Sequence, residues 1–186
     1  YNPNDGEETT RRNADFEQND ASVKLGYEID GNRRVDVLVQ FSDRERGIPS
    51  IQNWRDNEAR LETKNRRLQL HYQDLSGLDG NLHGSHRLVV SEIDERYRDL
   101  QGRVGAGTYD IRTATEQVGI NSSLGWILGP HLVGATLKAA RHDQTERDFL
   151  RADPDADRSR RQLVSALSHE WTSEEGRWHT QSVARR

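Results

Sequence analysis

Polar and apolar residues alternate most cleanly near the N-terminal end. Val35, Val37, Val39 and Phe41 alternate with Asp36, Leu38 and Gln40, and Val23, Leu25 and Tyr27 alternate before them. A period of two belongs to a strand with one buried face. Asp30-Gly31 between the runs is a tight-turn signal, so Val23 to Phe41 is expected to form a β-hairpin. Farther along, the period changes. Trp54, Leu61, Leu68 and Leu75 recur every seven residues, which is half of a coiled-coil seam. The expectation over Ile51 to Leu75 is a largely solvated helix with a thin contact stripe. Val89, Ile93, Tyr97 and Leu100 suit one face of a second helix from His86 to about Leu100. Leu124 to Leu137 is the most apolar stretch, and Pro130 is placed to start a helix running to Arg151. Asp153-Pro154-Asp155 stops that helix. Ser159 then caps a last one, with Leu163, Val164, Leu167 and Trp171 facing inward.

These elements predict a mainly α fold: a helical bundle with an N-terminal β-hairpin and a polar N-terminal arm. The arm is residues 1–22, a single mainly helical domain covers 23–180, and 181–186 is a polar tail. Composition makes the core thin. Only 32% of the residues are hydrophobic, and the 15 glycines bring the apolar share to about 40%, below the roughly 45–50% of ordinary soluble domains. Leu124 to Leu137 would be the packing centre. The missing burial would lie in a homo-oligomer or larger protein assembly, across an interface formed by Trp54, Leu61, Leu68, Leu75 and Trp126.

Charge sharpens this expectation. Of 27 basic residues only Lys24, Lys64 and Lys138 are lysines, which leaves 24 arginines against 31 acids. Arginine makes planar, bidentate pairs with carboxylates, so ion-pair networks are expected at contacts. The arginine doublets are scattered among acids and no basic stripe emerges. Nucleic-acid binding is thus possible but not indicated. No run of 18 apolar residues occurs, so no membrane span is expected and the chain reads as soluble. The first residue is not methionine, from which a processed or trimmed N-terminus is expected. Without cysteine there is no disulfide framework, thiolate site or Cys nucleophile.

Candidate chemistry is sparse. Asp153, Asp155, Asp157 and Ser159 open like a calcium loop, but Arg158 and Val164 stand where such a loop needs Gly and Glu. His71, His83 and Glu95 are the candidate metal ligands if two helices face each other. Two fragments also resemble known families. Glu92-Ile93-Asp94-Glu95-Arg96 with Leu100, and His71 twelve residues before His83, resemble Dps-type ferritins, which implies a ferritin-like iron site. Arg87 stands where that site needs a carboxylate, and Tyr72-Gln73 replaces the family's Trp-Asn. Gly125-Trp126-Ile127 with Gly134, and Trp171 with Gly176 and Trp178, resemble the groove motifs of Bcl-2 proteins. That implies a helical adaptor with a peptide-binding groove, although Trp126 replaces the essential arginine. The two are mutually exclusive and neither is adopted. No catalytic set and no cofactor motif is evident. The expected function is a non-enzymatic structural or assembly subunit.

Overall fold

The computed structural model describes residues 13–50, 57–77, 80–105, 107–173 and 179–185. Among them there is no helix. They form eight strands: β1 (Phe16–Asp30), β2 (Arg33–Gly47), β3 (Arg60–Gly77), β4 (Leu82–Asp99), β5 (Tyr109–Leu128), β6 (His131–Asp148), β7 (Ala156–Thr172) and β8 (His179–Arg185). Each pairs antiparallel with the next, in one sheet whose spatial order is the sequence order. No ladder among the described residues joins β1 to β8, so the sheet has two edges.

This overturns the mainly α fold class. The expected helix from Ile51 lies partly outside the described residues, and from Arg60 onward it is β3. The helices expected over 86–100, 130–151 and 159–171 are β4, β6 and β7. The helical assembly subunit, the ferritin-like bundle and the helical adaptor all fall with the bundle. The expected β-hairpin is present, inside a longer one that takes Phe16 to Ser22 from the supposed arm. Most of the supposed C-terminal tail is β8.

The connections alternate in length. At one end are the two-residue turns 31–32 and 129–130, the four-residue connection 78–81 and the six-residue connection 173–178. At the other are the longer connections 48–59, 100–108 and 149–155. The first turn is held by the Asp30 carboxylate, which accepts the backbone N–H groups of Asn32 and Arg33, both at 2.9 Å. In the second, Gly129 has φ 59°, a left-handed conformation that costs glycine little, and Pro130 follows it.

The long loops are tied by side chains. Asn13 Nδ2 donates to the carbonyls of Ile48 and Ala59, and Asn57 Nδ2 donates to Ile48. Asp99, fully buried, accepts the backbone N–H groups of Arg103 and Val104 at 3.0 and 2.9 Å, with Gly105 at 3.4 Å. Burial pushes the Asp99 carboxyl up, but the backbone donors outweigh it and hold the group below the ordinary carboxylate range. Little else is enclosed. Ala59 is the single buried apolar residue among those described. The strands are 15 to 20 residues long from β1 to β7, where five or six is usual.

Candidate functional site

A regular ladder sorts side chains by parity, and the two faces differ sharply. One ladder row runs Val37, Leu70, Leu88, Ile120, Ala139 and Leu163. The row beside it holds Val39, Leu68, Val90 and Val118 on the same face. Toward the short-turn end that face continues with Leu124, Trp126 and Leu128 of β5, Val133, Ala135 and Leu137 of β6, and Leu167 and Trp171 of β7. The opposite face is polar: Gln69, His71 and Gln73 on β3, Gln117, Asn121 and Ser123 on β5.

Exposure runs opposite to that of a water-soluble sheet. Val90 and Val118 are 41% and 50% exposed, while Gln117, Asn121 and Ser123 are only half-exposed. On β7, Leu163 and Leu167 are exposed, and Val164, Ala166 and Ser168, on the other parity, are more enclosed. Single exposed apolar residues are ordinary, but a contiguous face of them marks a contact surface.

The apolar face is banded. Its short-turn boundary carries Tyr27, Tyr72, Trp126 and Trp171. Beyond its other boundary the same face turns ionic. Arg112 grips Asp94 at 2.8 and 2.6 Å, and Arg96 grips Asp110 at 2.8 and 2.9 Å. Arg66 lies 3.4 Å from Glu92, Arg147 lies 3.0 Å from Asp155, and Arg98 pairs with Glu62. The Arg96 guanidinium also stacks 4.9 Å from the Phe149 ring centroid. The Arg112 hydrogen bonds hold the Asp94 carboxyl below its ordinary value. The arginine–acid pairs anticipated at contacts between copies thus form between neighbouring strands of one chain.

The band also runs obliquely across the ladder. The row through Tyr27 passes Val35, Tyr72, His86, Ser122 and Leu137 and reaches β7 at Ser165, six residues short of Trp171. At ~3.3 Å per residue and ~4.8 Å per strand step, that is ~20 Å of offset over ~29 Å, a slant of about 35°.

The expected interface residues separate. Trp54 lies outside the described residues. Leu61 and Leu68 point to opposite faces, because seven is an odd number and a strand repeats every two. Leu75 lies within the register shift between Asp74 and Gly77, and its N–H donates to the Asn32 carbonyl. Trp126 stands on the apolar band, 44% exposed.

The expected metal ligands share the polar face without meeting. His71 lies opposite Arg87, from which His83 is four residues away in one direction and Glu95 eight in the other, separations of ~13 and ~26 Å along the strand. His71 instead shares a hydrogen bond with the Ser85 hydroxyl at 3.0 Å. No group of three or more potential ligands is found among the described residues. Asp155 and Asp157 of the supposed calcium loop are engaged by Arg147 and by the Thr145 hydroxyl.

The apolar band was missed as a unit, yet a signal for it exists. Leu68-Gln69-Leu70-His71-Tyr72 has the same period of two as the N-terminal hairpin. Compared with known proteins, the chain matches no family model and no curated relative.

Proposed function

We propose that this chain forms part of the wall of a transmembrane β-barrel of the outer-membrane type, with the apolar band facing lipid and the polar face lining a water-filled interior. The observation that carries this reading is the oblique band bordered by Tyr and Trp. Barrel strands tilt by roughly 35–45° from the membrane normal, so a level slab of lipid cuts their ladder at that angle. The slant of about 35° meets this requirement. Val118 to Leu128 of β5 is eleven residues, or ten steps, ~33 Å along the strand and ~27 Å along the normal at that tilt, against an apolar band of ≈ 25 Å in known barrels. Aromatic girdles, and short turns opposite long loops, belong to the same architecture.

No helix among the described residues is long and apolar enough to cross a membrane. Strands satisfy a different condition, in which every backbone N–H and C=O is paired between neighbours. Seven ladders meet it internally. The outer edges of β1 and β8, and that of β7 before Ala166, then pair in the membrane, with each other or with further strands. A second copy covering the apolar face would supply burial too, but it gives no reason for an oblique band bounded by aromatics on one side and ion pairs on the other.

The test is folding of the urea-solubilised chain. The expected result is β-sheet circular dichroism, with an electrophoretic mobility that changes on boiling, only when detergent micelles or lipid vesicles are present. A compact, β-rich species in plain buffer would sink the reading.

A further inference from the structure

We infer that the polar face carries a binding site for a small phosphate-type oxyanion, centred between Arg87 on β4 and Lys138 on β6. Three consecutive ladder rows cross β3 to β7 here, from the Arg67–Arg160 row to the His71–Val164 row. They hold the permanent cations Arg67, Arg87, Lys138 and Arg160 and not one carboxylate. In a chain where acids outnumber bases, and where arginines on the other face are matched to carboxylates, this is a local excess of positive charge. None of the four cations forms an ion pair among the described residues. The nearest carboxylate across the β2–β3 ladder, Asp36, is held by Arg34 at 2.9 Å.

The shape fits a small ligand. The middle row places Val89, Gly119 and Ala140 side by side, a floor of short side chains between longer polar ones. Above it lies a hollow of about 220 Å³ bordered by Arg67, Arg87, Lys138, Gln117, Asn121 and Gln162. Asn121 is the ladder partner of both Arg87 and Lys138, and its Oδ1 is buried without a hydrogen-bond partner. A buried acceptor left open is costly, and a turn of the Asn121 side chain toward the hollow lets a ligand hydroxyl satisfy it. Guanidinium and ammonium groups bind anionic oxygens, the first bidentately. Monohydrogen phosphate offers both halves of that recognition, anionic oxygens for the cations and one O–H for Asn121. Sulfate offers only the first. Rows of Lys and Arg perform the same task in anion-conducting pores.

This site rests on reading the polar face as the one in contact with water, and its test separates the two. The detergent-folded full chain is titrated with inorganic phosphate by calorimetry at fixed ionic strength, beside the Arg87→Gln/Lys138→Gln double variant. Circular dichroism and heat-dependent mobility record folding of both. Phosphate binding that weakens by about tenfold or more in the folded variant, as expected from removing two adjacent charges, supports the site. A folded wild type that binds no phosphate, or binds it as well as the variant does, overturns the site and leaves the membrane reading standing. Sulfate tests the role of Asn121: weaker binding than phosphate, with the difference abolished in Asn121→Ala, is expected, and equal binding of both anions overturns that role.

Discussion

The Arg112 guanidinium on β5 reaches diagonally back to Asp94 on β4 and holds both carboxylate oxygens, at 2.8 and 2.6 Å. Its direct ladder partner is Arg96. Two arginines placed opposite each other would repel. Each swings instead to a carboxylate one step along the ladder, Arg96 to Asp110 and Arg112 to Asp94. Because Arg112 lowers the Asp94 pKa, the stabilisation is present above the unfolded carboxylate value of ~3.9 and is lost as pH falls through the lower folded value. Arg112→Gln should move the Asp94 titration up toward that ordinary value, read by carboxyl NMR. The side chain of Arg112 is 51% exposed, so the stability lost above pH ~4 should stay below about 1 kcal/mol.

Parity gives a sharper test of the lipid-facing band. Leu88 lies on the apolar face, and Ser91, three residues on, lies on the polar one. Leu88→Arg should cost about 2–4 kcal/mol of folding stability in vesicles, if the band sits at mid-membrane depth. Ser91→Arg should be tolerated within about 0.5 kcal/mol, as is usual for surface substitutions. Equal, small effects at both positions in a vesicle-based urea titration would remove the basis for assigning one face to lipid.

The aromatic border predicts a depth. A variant that keeps Trp126 alone, with Trp54, Trp171 and Trp178 changed to Phe, should fluoresce as an interfacial indole. Lipids brominated near the headgroup should quench it more than lipids brominated near the chain end. Stronger quenching from the chain end would place the band boundary elsewhere.

At the long-loop end, Asp99→Ala removes the acceptor for the Arg103 and Val104 amides. The loop should lose about 1–3 kcal/mol of local stability. Hydrogen exchange at residues 103–105 should quicken while the β4–β5 ladder stays protected. Asp99→Asn keeps one carbonyl oxygen and should recover part of the protection.

How much of this was legible along the chain differs by element. In β1 and β2, valines on the apolar face alternate with Asp36, Gln40 and Ser42, and a tight turn divides the strands, so the hairpin was readable. In β3 and β4 few apolar residues interrupt the charge, and those at 61, 68 and 75 happen to match a heptad. Periodicity over so few positions fits either element. Leu124 to Leu137 misled for another reason. Leu124, Trp126 and Leu128 leave β5 on the apolar face, and Val133, Ala135 and Leu137 return in β6 on the same face. The positions between them are Gly125, Ile127, Leu132 and Gly134 rather than charged residues, so a hairpin reads as one unbroken apolar segment. The metal candidates were chosen for helical proximity, and a strand rise of ~3.3 Å per residue pulls them apart.

Composition and local order alone establish a chain too polar to close a core of its own, rich in arginine–acid partners, and with its apolar residues in short alternating runs. They do not establish where those runs lie relative to one another. That is decided by register: seven ladders align the runs of separate strands into one oblique band on one face and gather Arg67, Arg87, Lys138 and Arg160 on the other. Neither band nor basic patch is contiguous along the chain, because neighbours in a ladder can be 30 or more residues apart in sequence, and a shift of one residue would exchange the two faces.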